Sequence, residues 1–209
     1  LSPALQQPIG LGADFVIHST TKYLNGHSDV VGGVVVAADS ADLDALSDWA
    51  SLTGVNGAPF DAYLTLRGLR TLFPRIERQQ VIAGAVANFL QEDPRVHVVH
   101  YPGLSSHPGH AIAKAQQAGF GAMLSFDLVG GVAAVRRFVE ALRVITLADS
   151  FGGIETLVAH PASMTHAGMG PEARHAAGIS DSLLRLSIGL EAEVDLLADL
   201  KTGLAAAGE

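Results

Sequence analysis

Asp14-Phe15-Val16-Ile17-His18-Ser19-Thr20-Thr21-Lys22-Tyr23-Leu24-Asn25-Gly26-His27-Ser28-Asp29 is the stretch on which the fold turns. Its first five residues form a compact apolar run, the pattern of a strand buried on both faces. Hydroxyls, an amide and a glycine then take over, so the strand ends in a polar loop. Residues 30–38, with five valines, are the next strand. Gly32-Gly33 inside it is not a phosphate loop, because no helix pattern follows; it predicts close strand packing. Helical spacing over residues 41–50, opened by Asp39 and Ser40 as candidate N-caps, completes the order strand, loop, strand, helix. That order with valine-rich strands predicts an α/β fold, and the trailing edge of a sheet whose other strands come from elsewhere, since two strands do not hold alone. Upstream, residues 3–11 read as one short helix ended by Gly10 and Gly12. The chain opens Leu1-Ser2-Pro3 without an initiator methionine, so a missing N-terminal half is expected.

Downstream the pattern changes. Residues 54–59 are rich in turn formers, a helix is expected over 61–72, and Pro74 should interrupt it before a longer helix runs to residue 91. Phe120, Ala122, Leu124, Phe126 and Leu128 alternate with smaller or polar residues, the period of a half-buried antiparallel strand. Residues 95–101 and 183–188 alternate similarly. Val135, Phe138, Val139 and Leu142 mark one face of a helix, and Val194, Leu197, Leu200 and Leu204 mark another. A boundary near residue 68 therefore divides residues 1–67, part of an α/β domain, from a small C-terminal α+β domain over 68–209.

Thirteen basic against twenty-one acidic residues give a net charge of −8, which disfavours nucleic acid. No apolar stretch approaches the roughly 20 residues that span a bilayer, so no membrane is expected. There is no cysteine, hence no disulfide, zinc–thiolate site or thiol nucleophile. With no basic-then-apolar leader at the start, a cytoplasmic location is expected.

Three lysines are present. Lys114 sits in an alanine- and glutamine-rich helix and Lys201 on the polar side of the last helix, both readable as solubility residues. Lys22 instead follows a strand end, where α/β proteins place ligands. A partly desolvated lysine serves as nucleophile and base. The hydroxyls of Ser19 and Thr21 suit a phosphate ester. Phosphate, lysine and no metal site together suggest pyridoxal phosphate, although a lysine in a polar loop is more often ordinary surface. On the strand over 183–188, Leu184, Leu186 and Ile188 face one side and turn Arg185 and Ser187 to the other. From there Arg185 can offer its planar fork to a carboxylate, or simply form a surface ion pair.

Residues 18–29 resemble the cofactor-lysine signature of the Cys/Met-metabolism family of pyridoxal-phosphate enzymes. The likeness recurs at Asp149-Ser150-Phe151-Gly152-Gly153-Ile154-Glu155-Thr156-Leu157, at residues 160–166 and at residues 185–191. The resemblance implies a fold-type I transferase, of which this chain holds the trailing part of the large cofactor domain and the small domain. It implies that Lys22 carries pyridoxal 5'-phosphate covalently and acts as the catalytic base, that Ser19 and Thr21 bind the phosphate, and that Asp149, Ser150 and Arg185 meet the substrate. The family's aspartate under the ring nitrogen and its stacking tyrosine resemble positions before Leu1. Family members with a cystathionine substrate usually carry glutamate before this serine, and Asp149 keeps that charge on a shorter arm. The implied reaction is γ-elimination on cystathionine, giving cysteine, 2-oxobutanoate and ammonia. The alternatives are γ-replacement on an O-acylhomoserine with cysteine, and an inactive subunit that serves assembly. The implied partners are a sulfur amino acid and, in a homotetramer with shared active sites, further copies of the chain.

Other features read blandly. His107 and His110, with His97 and His100 nearby, lack a carboxylate cluster, so no metal is expected. His160 and His166 position backbone around Pro161, and Trp49 packs its helix.

Overall fold

A computed structural model describes residues 1–208. The leading strands form an antiparallel pair, β1 (Phe15–Ser19) and β2 (Gly33–Ala37), with Phe15 opposite Ala37 and Ser19 opposite Gly33. β2 starts later than its valine run suggests, and Gly32 just before it spends its backbone bonds on the Lys22 loop. Thr20 N–H donates to Gly32 O at 2.9 Å, and Gly32 N–H to Thr21 Oγ1 at 3.1 Å. A Cβ on Gly32 would stand 2.8 Å from Thr20 Oγ1, which accounts for glycine there by close packing. The expectation of strands buried on both faces is not met in this chain: Ile17 is 78% exposed, and Phe15, Val34, Val35 and Val36 are exposed as well.

α1 (Ser40–Thr53) is capped by Asp39, whose Oδ1 accepts Ala41 N–H at 2.7 Å. α2 is Pro59–Leu69 and α3 Leu72–Glu92. The break falls at residues 70–71, not at Pro74, which lies in the first turn of α3 where a missing N–H costs no intrahelical bond. Residues 3–11 are not one helix: only Pro8–Leu11 forms a 3-10 turn, with Gly12 closing it in the left-handed region. Trp49 does not pack its helix; it is exposed, as are Leu43 and Leu52 of α1.

Beyond α3 come β3 (Val96–His100), α4 (His110–Gln116), β4 (Met123–Leu128), α5 (Gly131–Ala141), β5 (Thr146–Leu147), β6 (Leu157–Ala159), α6 (Pro171–Ala176), β7 (Leu183–Ser187) and α7 (Glu193–Ala207). Their sheet has the order β3-β4-β7-β6-β5, antiparallel except for the β5–β6 pair. Phe126, Leu184, Leu186 and Ile188 are fully buried against Phe138 of α5, Leu196, Leu200 and Leu204 of α7, and Ile82, Val86 and Leu90 of α3. The buried stripe of α7 runs 196, 200, 204 and 207, one step round from the expected one, and Val194 is exposed. Asp199 shares the buried side of α7, and its carboxylate accepts backbone N–H groups of Arg143, Val144 and Ile145 at 2.8–3.0 Å. The core is continuous with the leading segment through Leu5, Tyr23 and Leu24.

No helix among the described residues is long and apolar enough to cross a membrane.

Candidate active site

Lys22 lies in a one-turn π-type segment, Thr20–Leu24, entered directly from β1. Its own ψ of −130° is non-helical and breaks that turn at the lysine. Lys22 Nζ donates to Ser150 Oγ at 3.2 Å and lies 4.5 Å from the centroid of the Phe151 ring. Among the described residues no carboxylate pairs with it.

Arg185, at the centre of β7, reaches the same serine and the same ring. Its Nη2 donates to Ser150 O at 3.2 Å and lies 3.9 Å from Asp149 Oδ1, and its Cζ is 5.4 Å from the Phe151 ring. Asp149 is largely exposed, so this contact is weak and exchangeable. Ser187, two residues along the same face, is buried and accepts Gly152 N–H on Oγ at 2.8 Å. The structure thus gathers Lys22, Asp149–Ser150 and Arg185 from three segments that lie far apart in sequence.

A cleft of about 230 Å³ opens beside the lysine, lined by Ile17, His18, Ser19, Lys22, Tyr23 and Phe151, with Leu1, Ser2 and Leu24. Ser19 presents a hydroxyl with no protein partner among the described residues. Thr21 does not line this cleft: its hydroxyl accepts Gly32 N–H at 3.1 Å and donates to Gly32 O over a long 3.4 Å. A larger groove of about 540 Å³ lies between α2 and residues 30–34, away from the Lys22 amine. The smaller cleft is the one with chemistry in it.

The donor set suits a phosphorylated aldehyde: an amine held by one hydroxyl and free of any carboxylate, a free hydroxyl one turn away, and an aromatic floor. No group of three or more His, Cys, Asp or Glu side chains capable of holding a metal occurs among the described residues. His107 and His110 do not share a helical face. His107 Nδ1 accepts Gly109 N–H in a turn, and His110 is tied to Pro102 O at 2.8 Å. His160 bridges Ser163 Oγ and Asp181 O, and so fixes its loop.

Several site residues escaped the sequence reading. Phe151 lay inside a quoted motif, but nothing in its type marks it as the floor under two cations. Arg75 and Gln79 stand one turn apart on a face otherwise occupied by Leu72, Ile76, Ile82 and Ala83, and both are buried. Two polar residues in an apolar stripe were the available signal.

Residues 1–205 match the family model described as Cys/Met metabolism PLP-dependent enzyme. Cystathionine gamma-synthase of Escherichia coli K12 is 56% identical over 209 residues, which are 100% of this chain and 54% of that protein. The crystal structure of cystathionine gamma synthase from Xanthomonas oryzae pv. oryzae in complex with cystathionine superposes with a TM-score of 0.97 at 62% identity, covering 100% of this chain and 54% of that one. Cystathionine gamma-lyase from Lactobacillus plantarum complexed with L-serine follows with a TM-score of 0.95 at 43% identity, covering 99% and 54%. Other matches are named methionine gamma-lyase and cystathionine beta-lyase. The chain spans about half the length of the curated relatives it matches.

Proposed function

Because the chain belongs to the Cys/Met metabolism PLP-dependent enzyme family, we propose that Lys22 carries the cofactor in a protein that performs γ-replacement: the cysteine sulfur bonds to the γ-carbon of an O-acylhomoserine, whose Cγ–O bond breaks to release the acid, giving cystathionine. The observation that carries this reading is the Lys22 amine, 3.2 Å from Ser150 Oγ above Phe151, with Arg185 anchored on the same serine's carbonyl.

Pyridoxal phosphate, when bound, supplies the electron sink that makes loss of a proton from the substrate's α-carbon feasible. Lys22 Nζ, freed when the substrate amine takes its place on the cofactor, would accept that proton. Ser150 Oγ orients the amine, and Phe151 keeps water from its lower side. Arg185, fixed by one N–H on Ser150 O, has further N–H groups to offer the substrate carboxylate as a fork. Ser19 is free to donate to the phosphate. The long bond from Thr21 to Gly32 O is weak enough to exchange for a phosphate oxygen. Asp149, exposed at the rim, suits the ammonium of an incoming amino acid.

γ-Elimination of cystathionine, the outcome favoured on sequence, uses the same residues. Identities of 56% and 62% to γ-synthases, against 43% to a γ-lyase, support γ-replacement over it. With this reading goes a division into residues 1–67 and 68–209, and assembly as a homotetramer. The exposed Phe60, Tyr63 and Leu66 of α2 support cover by further polypeptide.

Borohydride reduction of the cofactor-loaded protein, followed by peptide mass analysis, should place the pyridoxyl group on Lys22. A label on Lys114 or Lys201 ends the reading, and no label at all favours an assembly role. Given an O-acylhomoserine and cysteine, the protein should release more cystathionine than 2-oxobutanoate; the reverse selects γ-elimination.

A further inference from the structure

α3 holds two buried polar side chains that the reaction above does not use. Arg75 Nη2 donates to Tyr23 O and to Gly68 O, each at 3.0 Å, and Nε donates to Thr71 Oγ1 at 3.1 Å. Gln79 Nε2 donates to Gly153 O at 2.7 Å. Tyr23 directly follows Lys22, and Gly153 is three residues beyond Ser150. One helix therefore grips, at adjacent turns, the two loops that meet in the Lys22–Ser150 hydrogen bond.

The two loops also press together. Gly152 (φ +81°) lies so close to Tyr23 that a Cβ there would stand 2.9 Å from Tyr23 N. Gly26 (φ +75°) packs against the Arg75 guanidinium, where a side chain would collide with it. Ser28, itself in the left-handed region at φ 59°, hydrogen-bonds Glu155 across the same seam.

Such a clamp is not the cheapest way to fill a core. Arg75 is 4% exposed and makes no ion pair among the described residues, and burial lowers its pKa. Arg75 Nη1 and Gln79 Oε1 have no hydrogen-bond partner among the described residues. Leucine or methionine would leave no such orphan atoms, so the bonds actually made, two of which reach the site-loop carbonyls of Tyr23 and Gly153, are what distinguishes these residues.

We propose that Arg75 and Gln79 are positioning residues that set the Lys22–Ser150 geometry by fixing the backbone on either side of it. α3 suits the task. It is 21 residues long and anchored in the core by Ile76, Ile82, Val86 and Leu90, so a displacement of either loop works against a rigid element. The inference rests on Lys22 as the cofactor lysine.

The test uses the cofactor-loaded protein and its Gln79→Leu, Arg75→Lys and Arg75→Met variants. Visible absorbance of the lysine-linked cofactor is titrated against pH, and kcat and KM are measured beside it. Gln79→Leu should shift the titration midpoint by about half a pH unit or more. It should also lower kcat roughly 10- to 100-fold, the effect of misplacing a reacting group by about an ångström. Its effect should be non-additive with that of Ser150→Ala. Arg75→Lys, which keeps one donor, should fall between the parent and Arg75→Met. Should Arg75→Met fail to fold, the other two variants decide. A lowered melting temperature with unchanged midpoint and kcat would mean that these residues are purely structural and overturn the proposal. Borohydride labelling separates the two claims: unlabelled Lys22 in the parent removes the reading beneath, whereas labelled Lys22 with unaffected variants removes this inference alone.

Discussion

Replacing Arg185 by lysine isolates what a guanidinium does here. The native side chain is 21% exposed and spends one N–H on Ser150 O at 3.2 Å, which fixes the plane of its fork. In the proposed reaction its remaining N–H groups would meet the substrate carboxylate without further ordering. A lysine ammonium is a single point on a flexible stem, and must choose among Ser150 O, Asp149 and the substrate. One charge-assisted hydrogen bond of about 1.5–3 kcal/mol is lost, equivalent to roughly 10- to 150-fold in kcat/KM. Most of that should appear in KM, because the carboxylate is bound alike before and during reaction. Steady-state kinetics on the cofactor-loaded Arg185→Lys variant measure the split, and a spectral titration with an unreactive amino acid measures binding alone. A KM within about threefold of the parent would show that the carboxylate is held by something other than Arg185. A fall confined to kcat would move the arginine's role to the chemical step.

Two further predictions concern the scaffold. Tyr101 is buried, with its hydroxyl on Gly121 O at 3.0 Å, and burial pushes its pKa from 10.0 up to about 12. The native state thus holds the phenol proton more tightly than the unfolded chain, so this contribution is full below pH 10 and disappears as pH rises through 12. It amounts to about 2–3 kcal/mol, and Tyr101→Phe should flatten the denaturant-measured stability profile across that window. Asp199→Ala removes the acceptor for three backbone N–H groups between α5 and β5 and should lower unfolding free energy by about 3 kcal/mol; urea melts at neutral pH would show a change under about 1 kcal/mol if water replaces the carboxylate.

Much of this arrangement is legible in the residues themselves. Lys22 stands out because a buried-type strand delivers it into a hydroxyl-rich loop, and Arg185 because strand alternation turns it from its leucine neighbours. Fold class follows from the switch between valine-rich runs and alternating strands. What escaped is set by tertiary contact. Nothing local tells that Thr21 turns its hydroxyl to Gly32, since that depends on where residues 30–32 return. The α7 stripe was misplaced because Asp199 looks like a surface residue until the three N–H groups it accepts are seen. Trp49 reads as packed because large aromatics usually are, yet it is more than half exposed among the described residues.

The sheet order also sets a schedule for synthesis. β7 lies between β4 and β6, but of the five strands in this sheet it is the last to leave the ribosome. Phe126 pairs across from Leu184, 58 residues later (184 − 126), so at about 5–20 residues per second β4 waits roughly 3–12 s for its inner neighbour. During that interval the nascent chain carries an unpaired hydrogen-bonding edge beside its most apolar side chains. β3 can pair with β4's other edge within this time, leaving one face for a chaperone to shield. Slowing translation between residues 128 and 183 should therefore cost yield more than slowing it anywhere after α7 has begun.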